Sequence, residues 1–245
     1  RPIFEITVYC RQLGIDSPII ACNGAYVYDA KEKSYWHSTH IPVDETLEIL
    51  RYCEENRLFW TLLNNETVFF PEDAPDMPDM YAQVNDYYVS LQQIMDQYKM
   101  PRYGRKVLRT QSDLVDAVEL GAGKITVEGS PEKMAVMDAF YKDGRKYKTI
   151  SKQANPRVRE ITHYTANKWN GVEIVAKKLG IPMDEVCTFG DNLNDLEMIK
   201  NCPNSFVMAN GDKSIFKYAT HVIDSNADDG VGKAIEEYIM DNIIA

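Results

Sequence analysis

Two rhythms of apolar positions run along this chain, and they divide it into three stretches. From Phe4 to Leu13 the pattern predicts a helix that stops at Gly14, and the short β-branched run Pro18 to Cys22 predicts a buried strand. Towards the other end, Val172, Val175, Ala176 and Leu179 fall at helical spacing, with Asn170 and Glu173 as a capping pair and Gly180 as the stop. Short apolar runs follow at Val186 to Phe189, Ser205 to Met208 and His221 to Ile223, each predicting a strand. Between and after them come helical stretches at Asp195 to Lys200, a short one from Asp212, and a last one with Val231, Ala234, Ile235 and Tyr238 on one face. Strands alternating with helices in this way predict right-handed βαβ units and a parallel sheet.

The middle of the chain reads differently. It predicts helices at Asp44 to Asn56, Ser90 to Gln97, Ser112 to Leu120 and Pro131 to Lys142. Strands are predicted at Leu58 to Leu63, Thr67 to Phe70, Lys124 to Val127, Lys146 to Ile150 and Arg157 to Thr162, with a Pro- and Asp-rich loop from Pro71 to Asp79. That is enough for an independent α+β domain. The expected organisation is therefore an α/β fold whose parallel-sheet layer comes from residues 1–40 and 164–245. Residues 41–163 are inserted between them as a lid, hinged near Ile41 and near His163.

Composition narrows the function. A net charge of −10 argues against nucleic acid, whose binding rests on clustered Lys and Arg. No apolar run approaches the roughly 20 residues that a membrane span needs, so no membrane association is expected. Five cysteines without a paired spacing suit a reducing compartment, and the cytoplasm is the expected location. The chain opens Arg1-Pro2-Ile3-Phe4 without an initiator methionine, which reads as a processed protein or a fragment.

Candidate chemistry gathers at predicted strand ends. In Phe189-Gly190-Asp191-Asn192-Leu193-Asn194-Asp195 an acidic residue leaves an apolar strand, and two further oxygen-bearing side chains follow on the next turn. Oxygen ligands at the ligand-binding edge of a sheet suit a hard cation such as Mg²⁺. The competing reading is a polar strand-to-helix turn with Asn or Asp as the helix cap. Lys168 lies at the start of the Val172 helix, where an ammonium beside a helix N-terminus suits a phosphoryl group; most lysines are simply solvated. Cys22-Asn23-Gly24-Ala25 ends another strand. It either makes an ordinary turn or presents an amide and open backbone to a ligand.

The ordered set of Arg1-Pro2, Cys22-Asn23-Gly24-Ala25, Asn167-Lys168, Gly190-Asp191-x-x-Asn194-Asp195, Met208-Ala209-Asn210 and Asp228-Asp229-Gly230-Val231 resembles the Cof-type (type IIB) branch of the haloacid dehalogenase superfamily. The resemblance spans essentially the whole chain. It implies a Rossmann-like parallel-sheet core with an inserted α+β cap domain, and a Mg²⁺-dependent hydrolase that takes phosphate from small metabolites such as sugar phosphates through an aspartyl-phosphate. By the same resemblance Lys168 and Asp195 are catalytic, and Asn23, Gly24 and Lys168 hold the substrate phosphate. Asp191 and Asn194 serve the metal, and Asn210 sits on a loop close to it. A monomer or weak homodimer is expected, and Asp191, Asn194, Asn23, Asn210 and Lys168 are expected to converge at one sheet edge. Arg1 matches the arginine that follows the family's second-motif hydroxyl residue. The departure is the first motif, an Asp-x-Asp pair that supplies nucleophile and general acid: no two aspartates of this chain stand two apart. The chain as given is thus expected to turn over phosphate esters poorly, and one extended through that first strand to be active.

Other signals carry less. Gly121-Ala122-Gly123-Lys124 lacks the upstream Gly and the following Ser or Thr of a nucleotide-binding loop, and reads as a turn into a strand. His37 and His40 have zinc-like spacing but no further ligand nearby at the right interval. Trp60, Phe69, Phe70, Tyr81, Tyr87 and Tyr88 read first as core and second as a ring-stacking pocket. The competing functions are a phosphomutase of the same superfamily, or a non-catalytic fragment or pseudoenzyme that binds phosphate or metal without turnover.

Overall fold

A computed structural model describes residues 1–71, 78–100, 104–108, 111–142 and 146–240. By its internal contacts the chain divides into two compact units, Arg1–Ala166 and Asn167–Ala245.

The first unit begins with helix α1 (Ile3–Leu13), which buries Ile3, Phe4 and Val8 and ends at Gly14 in the left-handed conformation, φ +67°. Strands β1 (Ile19–Ala21), β2 (Tyr26–Asp29) and β3 (Ser34–Ser38) form an antiparallel sheet, and the second and third of these were not anticipated. After helix α2 (Val43–Glu55) come β4 (Phe59–Leu63), β5 (Thr67–Pro71), α3 (Pro78–Gln97), β6 (Gly104–Leu108), α4 (Gln111–Glu119), β7 (Lys124–Glu128), α5 (Pro131–Phe140), β8 (Thr149–Asn155) and β9 (Val158–His163). The six strands make one sheet in the order β6-β5-β4-β7-β9-β8, antiparallel except for β5 with β6. Most of the predicted Pro71 to Asp79 loop lies outside the described residues.

Side-chain alternation explains why β4 is apolar at every position except Thr61. Trp60 and Leu62 join Ile49, Leu50, Ile125, Val127, Met134, Met137 and Ile161 in one cluster beneath α2, α4 and α5. Phe59 and Leu63 point the other way, to Val68 and Phe70, to Tyr88, Leu91 and Met95 of α3, and to Ile3, Phe4, Val8, Ile19 and Tyr26. A strand covered on both faces carries apolar side chains at nearly every position. Each such fully buried side chain contributes about 1.5–3 kcal/mol. The second cluster is also why residues 1–40, expected to go with 164–245, group by contact with the middle of the chain.

The second unit holds α6 (Lys168–Leu179), β10 (Cys187–Gly190), α7 (Leu196–Asn201), β11 (Asn204–Met208), β12 (His221–Ile223) and α8 (Gly230–Ala234), the last continued by a π-helical segment Ile235–Met240. Its sheet is parallel in the order β10-β11-β12, with Gly190 opposite Val207 and Met208 opposite Ile223. In-register pairing brings the C-terminal ends of all three strands to one edge. The short helix predicted from Asp212 is a run of tight turns that ends in one turn of 3-10 helix, Phe216–Tyr218. The Asp212 carboxylate accepts from the Ser214 N–H at 2.8 Å, a bond of the kind that caps the start of such a segment. Asn167, not the pair Asn170 and Glu173, caps α6: its side chain accepts from the Asn170 N–H at 2.9 Å. All five cysteines are free, and among the described residues no helix is long and apolar enough to cross a membrane.

Candidate active site

Asp195 organises the edge where β10 ends. It is 2% exposed, and both its oxygens are engaged. Oδ1 receives the Lys168 ammonium at 2.5 Å, and Oδ2 accepts the backbone N–H groups of Asp191 and Asn192 at 3.0 and 3.1 Å. In return the Asn192 side chain caps the turn that contains Asp195, a reciprocal capping box. One carboxylate thus fixes two things at once: the position of the Lys168 cation, and the path of the loop that carries Asp191. Lys168 opens α6 immediately after its cap residue, at the start of the helix where the sequence placed it.

The loop fits because two neighbours have no side chain. A Cβ on Gly190 would stand 2.6 Å from the Asp195 Cβ, and one on Gly211 would stand 2.6 Å from the Asp191 carbonyl oxygen. The Asp212 N–H donates to that same carbonyl at 2.8 Å, so the segment after β11 is laced to the segment after β10. Asn210 lies in it, with its amide donating to Asn226 Oδ1 at 2.8 Å and its own Oδ1 accepting the Asn226 N–H at 3.2 Å. Asn210 therefore ties the third loop of this edge to the second.

Asp191 stands in the middle. Burial of its carboxyl raises its pKa, the Asp195 carboxylate raises it further, and Lys168 offsets only part of this. A carboxylate so placed gains from a cation. Asn194, partly exposed on the same turn, adds another oxygen. Among the described residues no three His, Cys, Asp or Glu side chains cluster closely enough to hold an ion on protein ligands alone. This donor set suits Mg²⁺, which keeps several waters and takes one or two carboxylates together with substrate phosphate.

In the first unit the predicted Asn23 and Gly24 sit in a turn of unusual backbone. Cys22, Asn23 and Gly24 have φ of 49°, 56° and 91°, three left-handed residues in a row of which only one is glycine. The Asn23 amide donates to Glu160 Oε2 at 2.8 Å, and Glu160 Oε1 receives the Lys124 ammonium at 2.6 Å. Burial alone would raise the Glu160 carboxyl, but Lys124, the Asn23 amide and, least, the Arg1 α-amino group outweigh it and bring it to about 2. Burial likewise pulls Lys124 down, and the facing carboxylate leaves it above its ordinary value. Glu160 was not singled out from the sequence, and Lys124 entered only in a segment read as a turn into a strand. The available signal was a charged residue on the inward face of each strand.

The family profile of the haloacid dehalogenase-like hydrolases matches residues 1–235. The 5-amino-6-(5-phospho-D-ribitylamino)uracil phosphatase YitU of Bacillus subtilis is 24% identical over 242 residues, covering 97% of this chain and 82% of that protein. A haloacid dehalogenase-like hydrolase of B. subtilis superposes with a TM-score of 0.78 at 22% identity, over 98% of this chain and 85% of the other. A sugar phosphatase of subclass IIB does so with a TM-score of 0.69 at 17% identity, over 95% and 79%. The chain belongs to the haloacid dehalogenase-like hydrolases, in their Cof-type branch. Its relatives are phosphatases that act on phosphorylated metabolites.

Proposed function

We propose that this protein is a Mg²⁺-dependent phosphomonoester hydrolase acting on a small phosphorylated metabolite of the sugar-phosphate kind. The observation that carries the reading is the Asp195 network, which holds a cation and a strand-end carboxylate in a fixed relation without leaving either to chance contacts. Lys168 neutralises charge on the phosphoryl group, and Asp195 acts by positioning Lys168 and the Asp191 loop, since both its oxygens are already engaged. Asp191 and Asn194 would hold Mg²⁺, which when bound supplies charge neutralisation at the phosphoryl oxygens. Asn23 and Gly24 are assigned to the substrate phosphate, and residues 41–163 to a cap domain that selects the substrate. The attack is assigned to an Asp-x-Asp pair, giving an aspartyl-phosphate; no such pair occurs in this chain.

The test is p-nitrophenyl phosphate turnover by the full-length protein. Turnover is expected to need Mg²⁺, to stop on chelation and return on Mg²⁺ addition. In the Asp191→Asn variant it is expected to fall by about 10²-fold or more. Turnover indifferent to both chelation and Asp191→Asn would sink the reading. Phosphate binding without turnover would leave the non-catalytic alternative in its place.

A further inference from the structure

The left-handed turn at Cys22–Gly24 is held from outside itself. L-residues other than glycine adopt this conformation at a steric cost, and consecutive ones are rare. Such backbone persists only where the surroundings over-determine it, and it concentrates where ligands are held. Besides the Cys22 N–H donating to the Arg1 carbonyl at 2.9 Å, the outside support is a relay of two polar side chains, Lys124 and Glu160, reaching the turn through Asn23. Lys124 of β7 and Glu160 of β9 lie on neighbouring antiparallel strands. The pairing of Ile125 with Ile161 sets Lys124 diagonal to Glu160 on one face of the sheet. Lys124 is 5% exposed, on the face that carries the apolar Leu63. A buried ion pair is a poor way to join two strands, because apolar side chains of similar size would do so at least as well. This pair has a direction: the carboxylate oxygen not taken by Lys124 faces the Asn23 amide.

We propose that Lys124 and Glu160 are positioning residues for substrate phosphate. Acting through the Asn23 side chain, they hold the Cys22–Gly24 turn so that its backbone, and not the Asn23 amide, meets the ligand. This rests on the reading above, in which Asn23 and Gly24 take the phosphate. It gives the Asn23 side chain an inward task, and it assigns to a strand pair of the middle segment a role in phosphate binding.

Three changes in the full-length protein test this, with p-nitrophenyl phosphate as substrate and inorganic phosphate as inhibitor. Lys124→Met with Glu160→Gln keeps an acceptor for Asn23 but loses the cation that orients it, and KM is expected to rise about threefold, less than in the next variant. Lys124→Met with Glu160→Leu removes the acceptor as well; KM and the phosphate inhibition constant are expected to rise about tenfold while kcat stays within about threefold. Adding Asn23→Ala to the second variant is expected to cost nothing further, because the two changes interrupt one relay. An unchanged KM in the Leu variant, or losses that multiply when Asn23→Ala is added, would overturn the proposal. Should the Leu variant fail to fold, Asn23→Asp decides the matter from the turn itself. It sets a carboxylate against Glu160, and an unaltered KM there overturns the proposal too. Any of these results with Asp191 dependence intact leaves the phosphatase reading standing.

Discussion

Both oxygens of Asp195 are committed inside its own loop, and that fixes what its removal should do. Asp195→Asn keeps the shape but loses the charge facing Lys168 and weakens the hold on the Asp191 and Asn192 N–H groups. A buried donor left unsatisfied costs about 1–3 kcal/mol. The variant is therefore expected to lose that much stability in a denaturant melt. It should also lose about 10²-fold in kcat/KM, since Lys168 and Asp191 shift together. Full activity with lowered stability would show that the network is structural only. Glu160 offers a second residue-scale test, in acid. Its carboxyl lies at about 2 when folded against an ordinary 4.5, so the folded state favours the ionised form. Its contribution, on the order of 3 kcal/mol, is complete above about pH 4.5 and is lost as pH falls towards about 2. Replacing Lys124 by Met and Glu160 by Gln together is expected to flatten the stability profile across that window. An unchanged acid limb would count against the ion pair.

At the scale of elements, the parts legible in the sequence are those written locally. The Asp191–Asp195 segment could be found because a strand, a glycine and a helical turn stand next to one another. Lys168 could be placed because its helix carries its own start and stop. Glu160 could not be found this way: its partners lie 36 and 137 residues away. Strands β2 and β3 were missed because they mix Tyr, Trp and His with Ser and charged residues, a half-exposed pattern that alternation in burial does not mark. The segment from Asp212 was legible as a short helix, and it forms tight turns and one turn of 3-10 helix at Phe216–Tyr218. The glycines divide in the same way. Gly180 ends α6 at φ +69° with nothing within 4 Å of an added Cβ, whereas Gly211 faces the Asp191 backbone. Gly180→Ala is expected to cost about 1–2 kcal/mol from backbone conformation alone and to leave kcat unchanged. Gly211→Ala is expected to cost about 1–3 kcal/mol and to lower turnover as well, because backbone must move beside Asp191. Equal effects on turnover from both substitutions would deny the loop its role.

For the whole molecule, the two compact units make a prediction about where the chain opens first. The sequence placed hinges near Ile41 and near His163. Ile41 is 2% exposed and its N–H donates to the Ala122 carbonyl at 2.7 Å, so cleavage there requires that bridge to break. Past β9 the chain is more open. Tyr164 is 56% exposed, and the unit boundary falls between Ala166 and Asn167. Proteases cut exposed connecting backbone before they cut buried elements, because local opening there takes the least free energy. Limited chymotrypsin digestion is therefore expected to cut first after Tyr164, giving pieces of residues 1–164 and 165–245. A first cut near Ile41, or inside the six-stranded sheet, would mean that the least stable connection lies elsewhere. Lys168, Asp191 and Asp195 all fall in the smaller piece, so the Lys168–Asp195 ion pair and the bond from the Asp191 N–H to Asp195 stay together. That piece is expected to retain the Asp195 network, read as slow exchange of the Asp191 and Asn192 amides. Fast exchange of both amides in the isolated piece would show that the network depends on residues before Asn167.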